Sequence, residues 1–344
     1  MDIVDLRSDT VTRPTAAMRE AMANAVVGDD VFGEDPTINR LQEMAAERMG
    51  KEAGLFVPSG TMGNLVAILT HCGRGDEVIM GDLAHTFLFE VGGISALGGV
   101  FPHTLPNLSD GTLEIDAIRG AIRSDDIHFP TSRLVVLENT HNRCGGVPIS
   151  VEYMKKVGKL AKETGLKIHL DGARIFNAAV SLHVSEEQLT SEVDSVTFCL
   201  SKALCAPVGS VLCGSKEFIA RARRVRKQMG GGMRQAGILA AAGIVALEKM
   251  VDRLVEDHEN AKMLVEGLAG IDGLNLDPGT GLTNMVFANL SDKVRMDARQ
   301  VASVLNEKGI KVGVVGTRRF RMVTHYWVDR KAVDRTIEGF QNIL

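Results

Sequence analysis

Residues 195–213 read SVTFCLSKALCAPVGSVLC, and this stretch decides the fold class. Two short apolar runs, 195–199 and 210–213, are rich in β-branched residues and flank a loop that carries Lys202. Runs of this length and composition, bounded by turn residues, predict buried strands. The stretch therefore predicts two strands of a buried sheet, with a lysine just after the first.

The same pattern recurs towards the N-terminus. Further strands are predicted at 55–57, 77–80, 134–138 and 167–170, and amphipathic helices at 151–164 and 216–228. This alternation predicts βαβ units around a largely parallel sheet with helices on both faces, an α/β fold. Ligands of such sheets bind beyond the C-terminal ends of the strands.

The ends of the chain follow other patterns. Pro14 is predicted to open a helix, a second helix to run from Asp35-Pro36 to Gly50, and a long helical stretch to cover about 234–268. Beyond it, strands and helices alternate and predict a small α+β C-terminal domain, with strands at 285–290, 311–315 and 321–324 and helices at 297–308 and 329–343.

Composition places the 344-residue chain in the ordinary soluble class, with 45% hydrophobic and 24% charged residues. The formal net charge of -4 gives no general attraction to nucleic acid or anionic membranes. The basic run at 221–227 falls in a helical pattern and predicts a solvated or subunit-facing helix. The N-terminus does not resemble a signal peptide, and no run of about twenty apolar residues predicts a membrane span.

Five cysteines without a CxxC pair predict reduced thiols and a cytoplasmic protein. Cys199 and Cys205, on either side of Lys202, are expected to be small buried packing residues. No spacing of histidines, cysteines or acids predicts a metal site, so no metal is expected.

The segment VPSGTMGN, residues 57–64, ends a strand, turns through Ser59 and Gly60, and starts a helix. Backbone N–H groups at a helix start bind anions, Gly60 permits close approach, and Thr61 adds a hydroxyl donor. Alone, the pattern is equally compatible with an ordinary strand-to-helix turn. No GxxxxGK[ST] sequence is present, so a nucleotide P-loop is not predicted.

Asp171 and Lys202 each follow a predicted strand of the same sheet. Pyridoxal phosphate (PLP) needs a lysine that forms a Schiff base and a carboxylate that keeps the pyridine nitrogen protonated. A structural ion pair is the alternative for either residue taken alone. Their shared edge, beside a phosphate-suited turn, favours the cofactor.

Histidines and arginines complete the candidate site. His85 follows the strand at 77–80, where its ring can stack on a flat cofactor or accept a proton, and His128 is a weaker candidate of the same kind. Arg174 and Arg321 are candidates to hold a substrate carboxylate through paired hydrogen bonds. Arg234 is predicted to start the long helix after three glycines, which either cradle an anion or form a flexible linker.

With these residues assembled, the whole chain resembles the low-specificity L-threonine aldolases (L-allo-threonine aldolases) of the aspartate-aminotransferase-like, fold-type-I PLP enzymes. The resemblance rests on ordered motifs: DLRSDTVTRPT, VGDDVFGEDPTIN, FVPSGTMGN, ENTHN, HLDGAR, FCLSKALCAPVGS, GGGMRQAG and RMVTH. It implies a large PLP domain, 15–255, with a mostly parallel seven-stranded sheet flanked by helices, and a small α+β domain, 256–344, joined by the N-terminal segment 1–14.

The resemblance also implies a reaction: reversible retro-aldol cleavage of threonine, allo-threonine and related β-hydroxy-α-amino acids to glycine and an aldehyde. Glycine synthesis and threonine degradation are the implied roles. It further implies a homotetramer, a dimer of dimers with active sites at the dimer interface.

Individual residues take the following roles by resemblance. Lys202 forms the Schiff base, Asp171 pairs with the pyridine nitrogen, and His85 stacks on the ring and serves as a base. The phosphate turn contains Ser59, Gly60 and Thr61, and Arg234 reaches the cofactor phosphate of a neighbouring subunit. The substrate carboxylate is held by Ser8, Arg174 and Arg321, and His128 lies near the β-hydroxyl.

Two positions depart from the family pattern, and two alternatives stay open. Phe32 and Phe89 stand where relatives commonly have tyrosine, which affects hydrogen bonding around the phosphate and aldehyde sides. A β-eliminating lyase or a racemase fits the same scaffold. A non-catalytic subunit is disfavoured because the lysine, the acid and the histidine are all present.

Overall fold

The computed structural model describes residues 3–344. Its strands are numbered in chain order: β1 (Val4–Leu6), β2 (Ala53–Val57), β3 (Glu77–Gly81), β4 (Phe101–Leu105), β5 (Ser132–Glu138), β6 (Lys167–Asp171), β7 (Ser195–Cys199), β8 (Ser210–Gly214), β9 (Leu274–Leu276), β10 (Met285–Leu290), β11 (Ile310–Gly316) and β12 (Arg319–Val323).

The helices fall between these strands. They are α1 (Ala16–Ala23), α2 (Pro36–Arg48), α3 (Gly60–His71), α4 (His85–Leu88), α5 (Gly93–Ala96), α6 (Ile115–Ala121), α7 (Val151–Thr164), α8 (Ile175–Leu182), α9 (Glu186–Thr190), α10 (Lys216–Gln228), α11 (Gly237–Lys249), α12 (Leu254–Ala269), α13 (Ala298–Glu307) and α14 (Arg330–Gln341). A 3-10 helix covers Asp9–Val11.

A seven-stranded sheet organises the larger part of the chain, in the order β2-β8-β7-β6-β5-β3-β4. The neighbours from β7 to β4 pair in parallel, whereas β8 runs antiparallel to both β2 and β7. Strands β3, β7 and β8 are buried at every position, as expected for a sheet covered by helices on both faces. The predicted mostly parallel, seven-stranded α/β fold is confirmed.

Local sequence explains why the helices begin and end where they do. Ser150 caps α7 by accepting a hydrogen bond from the Tyr153 N–H, and Gly165 ends that helix with a positive φ of 76°. At α2 the Asp35 carboxylate accepts from the N–H groups of Thr37 and Ile38, and proline occupies the first turn. The observed bounds of α7 and α10 match the predicted helices residue for residue.

A five-stranded sheet in the order β1-β11-β12-β10-β9 forms the smaller part. Strand β1 pairs in parallel with β11, so residues near the N-terminus complete a sheet built from the C-terminal part of the chain. This part has its own core, in which Phe320 and Phe340 are fully buried with ring centroids 5.5 Å apart. The domain limits 15–255 and 256–344 with 1–14 stay a prediction.

Three predictions about elements were wrong. The stretch 234–268 is two helices, α11 and α12, because Met250 and Val251 pack into the core of the large sheet whereas α12 packs against the small one. Arg234 precedes α11 and does not start it, and the first helix begins at Ala16 behind a Thr15 cap.

The basic run 221–227 is not wholly solvated. Its Arg226 is 2% exposed, donates to the Phe56 carbonyl at 2.7 Å, and forms a 2.6 Å ion pair with Asp30. The five cysteines are free thiols, and Cys199 and Cys205 are buried as predicted. Within residues 3–344, no helix has both the length and the apolar composition needed to cross a bilayer.

Candidate active site at the C-terminal edge of the large sheet

Asp171 and Lys202 lie at the same edge of the large sheet. Asp171 is the last residue of β6 and is in register with Thr197 of β7, and Lys202 follows the end of β7 by three residues. The Lys202 carbonyl accepts from the Thr12 hydroxyl at 2.8 Å and from the Cys205 N–H at 2.9 Å. In residues 3–344 the Lys202 amine makes no hydrogen bond or ion pair, so a fixed backbone presents a free amine.

The Asp171 carboxylate is 3% exposed and is held from two sides. Its Oδ2 accepts from Asn64 Nδ2 at 2.8 Å, and its Oδ1 accepts from the Ala173 N–H at 3.1 Å. Asn64 lies one turn after the start of α3, so this contact brings the N-terminal turn of α3 beside Asp171. The predicted acid and the predicted phosphate turn therefore belong to one site.

The start of α3 offers unpaired backbone donors. The Ser59 hydroxyl accepts from the Met62 N–H at 3.1 Å, whereas the N–H groups of Gly60 and Thr61 have no acceptor within residues 3–344. Packing also requires glycine at position 60, because a Cβ there would lie 2.9 Å from Cys199 Sγ on β7. The turn can therefore receive an anion while lying tightly against the strand that leads to Lys202.

His85 is the first residue of α4, just beyond β3. Its backbone N–H donates to Glu138 Oε2 at 2.7 Å, and its Nδ1 lies 3.0 Å from Glu90 Oε1. Because a carboxylate only accepts, Nδ1 carries the hydrogen and Nε2 of the neutral ring keeps a lone pair. The hydrogen bond to Glu90 raises the pKa of His85, and burial raises the pKa of Glu90.

Glu90 ties His85 to the Asp171 side of the site. Asn64 Nδ2 donates to Glu90 Oε1 at 2.9 Å as well as to Asp171, and ligand atoms of His85, Glu90 and Asp171 all lie within 4.8 Å of one another. Asn64 stands in the predicted phosphate-turn motif, but neither Asn64 nor Glu90 was predicted to have a role.

Arg174 is also at this edge, and its partner was not predicted. The guanidinium is buried and bound at two points by the Asp9 carboxylate, at 2.7 and 2.6 Å. Burial favours the neutral acid, but the charge of Arg174 outweighs it and keeps the pKa of Asp9 well below its usual range; Lys202 and Arg321 add to this effect. Ser8, which caps the 3-10 helix, adjoins Asp9 and so lies near the predicted arginines.

Arg321 comes from β12 of the small sheet and reaches the same region. It donates to Asn142 Oδ1 at 2.9 Å and to the Arg7 carbonyl at 3.1 Å, and its buried Nε has no partner in residues 3–344. Burial first, and then the like charges of Arg174 and Arg143, lower the pKa of Arg321. A half-buried cation that lacks a carboxylate partner is suited to bind an anion.

A cleft of about 950 Å³ separates the two sheets at this edge. Its walls carry His85, Phe89, Asn142, Arg143, Asp297, Arg299, Val314, Val315, Gly316, Thr317 and Arg321. Arg143 and Arg299 were not predicted. Phe89 is half exposed, and its ring centroid lies 5.6 Å from that of His85.

Two predicted site residues lie elsewhere on the chain. His128 precedes β5, is 77% exposed in its side chain, and is bound to Asp126 at 2.7 Å. Glu138, which contacts His85, is at the other end of this seven-residue strand, and a strand of that length spans roughly 20 Å. Arg234 is paired with Asp29 on the surface at 2.8 Å, near the exposed Phe32.

Comparison with known proteins gives consistent matches over most or all of the chain. A family model described as beta-eliminating lyase matches residues 5–291. Low-specificity L-threonine aldolase 1 of Arabidopsis thaliana is 50% identical over 347 residues, with 100% of this chain and 97% of that protein covered. The low specificity L-threonine aldolase of Escherichia coli K12 is 47% identical over 331 residues, with 96% of each chain covered. The structure of Leishmania major threonine aldolase matches with a TM-score of 0.85 at 22% identity, over 98% of this chain and 99% of that one.

Proposed function

Because the chain belongs to the family of low-specificity L-threonine aldolases, we propose that it cleaves threonine, allo-threonine and related β-hydroxy-α-amino acids, reversibly, to glycine and an aldehyde with PLP. The observation that carries the proposal is the unpaired Lys202 amine, held at the same sheet edge as the buried Asp171.

The donor set of this edge fits the cofactor. Lys202 offers the amine for the Schiff base, Asp171 the acid for the pyridine nitrogen, and the amides of Gly60 and Thr61, with Ser59, a seat for the phosphate. When bound, the cofactor supplies an electron sink that lowers the barrier to breaking the Cα–Cβ bond.

The arginines hold and orient the substrate. Arg321 has a free, buried Nε at the cleft, and Arg174 is fixed in direction by Asp9. We assign the α-carboxylate to these two guanidiniums, with the Ser8 hydroxyl beside them. Two fixed cations would hold the substrate in a single orientation, which favours the reaction by positioning.

His85 is the proposed base for the β-hydroxyl proton, directly or through a water. Glu90 holds the hydrogen on Nδ1, so the unprotonated Nε2 is the atom that can accept it. Phe89 lies next to this ring, where it presents an apolar surface to the aldehyde part of the substrate.

His128 and Arg234 make their side-chain contacts away from His85, Asp171 and Lys202: His128 is bound to Asp126, and Arg234 is bound to Asp29. We infer that they serve the site of another subunit, His128 near the β-hydroxyl and Arg234 at the cofactor phosphate. This assignment requires the predicted homotetramer with sites at a close dimer interface. A cytoplasmic location remains a prediction from the cysteines.

Product analysis tests the proposed reaction. Purified protein, supplied with PLP, is incubated with each of the four threonine stereoisomers, and glycine, acetaldehyde, ammonia and keto acid are measured. Glycine and acetaldehyde in equal amounts are expected from the L-isomers. Ammonia with a keto acid would indicate a β-eliminating lyase, interconversion of stereoisomers a racemase, and no product a non-catalytic protein.

A further inference from the structure

A chain of hydrogen bonds connects the far end of α3 with Asp171. His71 Nε2 lies 2.8 Å from Ser195 Oγ, and Ser195 Oγ lies 2.9 Å from His169 Nδ1. His169 Nε2 then lies 3.2 Å from Asn64 Oδ1, and Asn64 Nδ2 donates to Asp171 Oδ2 at 2.8 Å. This chain of hydrogen bonds begins at the partly exposed His71 and ends at Asp171, the acid assigned to the pyridine nitrogen.

The direction of every bond in this chain is determined. Asn64 Oδ1 can only accept, so His169 Nε2 carries a hydrogen, and Nδ1 of the neutral ring accepts from the Ser195 hydroxyl. The Ser195 oxygen then accepts from the His71 Nε2–H. Both rings are neutral at pH 7, because burial lowers the pKa of His169 to about 4 and that of His71 to about 3.

The Asn64 amide cannot be reversed without loss. Its Nδ2 donates to Glu90 Oε1 as well as to Asp171 Oδ2, and a reversed amide would set its oxygen against two carboxylates. Each donor in the chain thus points toward Asp171, and such chains strengthen by mutual polarisation in a low-dielectric interior. The Asp171 carboxylate, at the end of the chain, accepts the polarised hydrogen bond.

We propose that Asn64, His169 and Ser195 are positioning residues that hold the Asp171 carboxylate directed toward the ring nitrogen of the cofactor and strengthen its interaction with that nitrogen. This inference rests on the proposed function, which requires Asp171 to keep that nitrogen protonated. A purely structural role for the same bonds would support folding but leave the strength of the nitrogen–carboxylate interaction unchanged.

Two residues on the same face of β7, Ser195 and Thr197, provide a test variant and a matched control. Ser195→Ala removes the hydroxyl that donates to His169. Thr197→Val removes a buried hydroxyl two residues along β7 that has no hydrogen-bond partner in residues 3–344. Ser195 is fully buried. Alanine differs from serine only by the missing hydroxyl, so the variant adds no atom that the core must accommodate.

The test measures binding of two probes to the apoenzyme: PLP, and its 1-deaza analogue, in which carbon replaces the ring nitrogen. Ser195→Ala is expected to raise the dissociation constant of PLP about fivefold to tenfold, because a hydrogen bond that supports a charged group is weakened. The same variant should leave the deaza analogue unchanged, and Thr197→Val should leave both probes unchanged.

Equal weakening of both probes in Ser195→Ala would overturn the inference and leave the proposed function intact. A wild-type protein that does not bind PLP would overturn the proposed function, and the inference with it. If Ser195→Ala does not fold, the partly exposed His71 carries the test. His71→Leu should then weaken PLP selectively, and His71→Gln, which keeps an N–H donor, should restore its binding.

Discussion

The Asp9 carboxylate and the Arg174 guanidinium form a two-point ion pair, with both side chains almost wholly buried. Asp9 comes from the segment that follows β1, whereas Arg174 is the N-cap residue of α8, which follows β6 of the large sheet. The pair therefore joins the N-terminal segment to the catalytic edge. It also fixes the direction of a guanidinium that we assign to the substrate carboxylate.

Asp9→Asn is expected to destabilise the protein by about 3–5 kcal/mol, because it leaves the buried charge of Arg174 uncompensated. The KM for threonine should rise, since Arg174 loses its fixed direction. Chemical denaturation and steady-state kinetics check the two effects. Asp5→Asn is the matched control: it breaks the more exposed ion pair with Arg7 and should cost at most about 1 kcal/mol.

The difference in stability between wild type and Asp9→Asn is expected to depend on pH with a definite sign. The pKa of Asp9 is lowered in the folded protein, so its stabilisation is present above the unfolded pKa of about 3.9 and is lost as pH falls below it. The stability difference between wild type and Asp9→Asn should be constant from about pH 5 to 8 and shrink only in more acidic solution. A difference that already disappears at pH 6 would contradict the assignment.

Lys202→Ala should abolish the visible absorbance of bound cofactor and lower kcat at least about a thousandfold. Lys216→Ala is the control, because Lys216 also follows a strand of the same sheet, β8, but is exposed and lies at the opposite edge, since β8 runs antiparallel to β7. Absorbance spectra and the glycine-release assay on both variants test the prediction. Turnover retained in Lys202→Ala would show that another amine carries the cofactor.

Glu90→Gln should move the acidic limb of the kcat/KM profile to lower pH. The hydrogen bond and charge of Glu90 raise the pKa of His85, and the reaction needs the neutral ring, so activity falls as pH drops through that pKa. Glutamine can still accept the Nδ1 hydrogen, which preserves the tautomer. Asp126→Asn is the control: a limb that moves in this variant and not in Glu90→Gln would assign the base to His128.

Gly60→Ala should weaken PLP binding and destabilise the fold by about 1–3 kcal/mol, because its Cβ would meet Cys199 Sγ at 2.9 Å and push α3 away from β7. Gly120→Ala is the control, since nothing lies within 4 Å of its Cβ and alanine favours the helix there by about 0.5–1 kcal/mol. PLP titration and urea denaturation distinguish the two. Unchanged binding in Gly60→Ala would remove the phosphate role from this turn.

Much of the fold could be predicted because the central strands are apolar and flanked by turn residues. Strand β4 was missed because it lies at the sheet edge, none of its five positions is fully buried, and Pro102 interrupts the pattern. The break between α11 and α12 was missed because residues 250–253 contain no glycine or proline, and only the passage from one core to the other requires a turn there.

In the candidate site, too, the residues with a local sequence signal were predicted, and those that depend on distant partners were not. Asp171, Lys202 and His85 were found because each follows a strand, which is a local signal. Asp9 and Asn64 were given no role because their partners are more than a hundred residues away in sequence. For His128 a signal was present: it precedes a predicted strand, and the start of a parallel strand lies at the edge opposite to the ligand.

Subunit mixing tests whether Arg234 serves a neighbouring site. Lys202→Ala subunits keep a normal Arg234, and Arg234→Ala subunits keep a normal Lys202. If the arginine acts across the interface, a mixed dimer therefore has one site with both defects and one with neither. Unfolding and refolding an equal mixture should then restore about a quarter of wild-type activity, from half the dimers with one intact site each. An arginine that served its own chain would leave every mixed site defective, and activity would stay at the average of the two variants. The control is an equal mixture of Lys202→Ala and Lys216→Ala subunits, which is unfolded and refolded in the same way. Its active sites need no residue from a variant partner to replace a defect, so its activity corrects for losses during refolding.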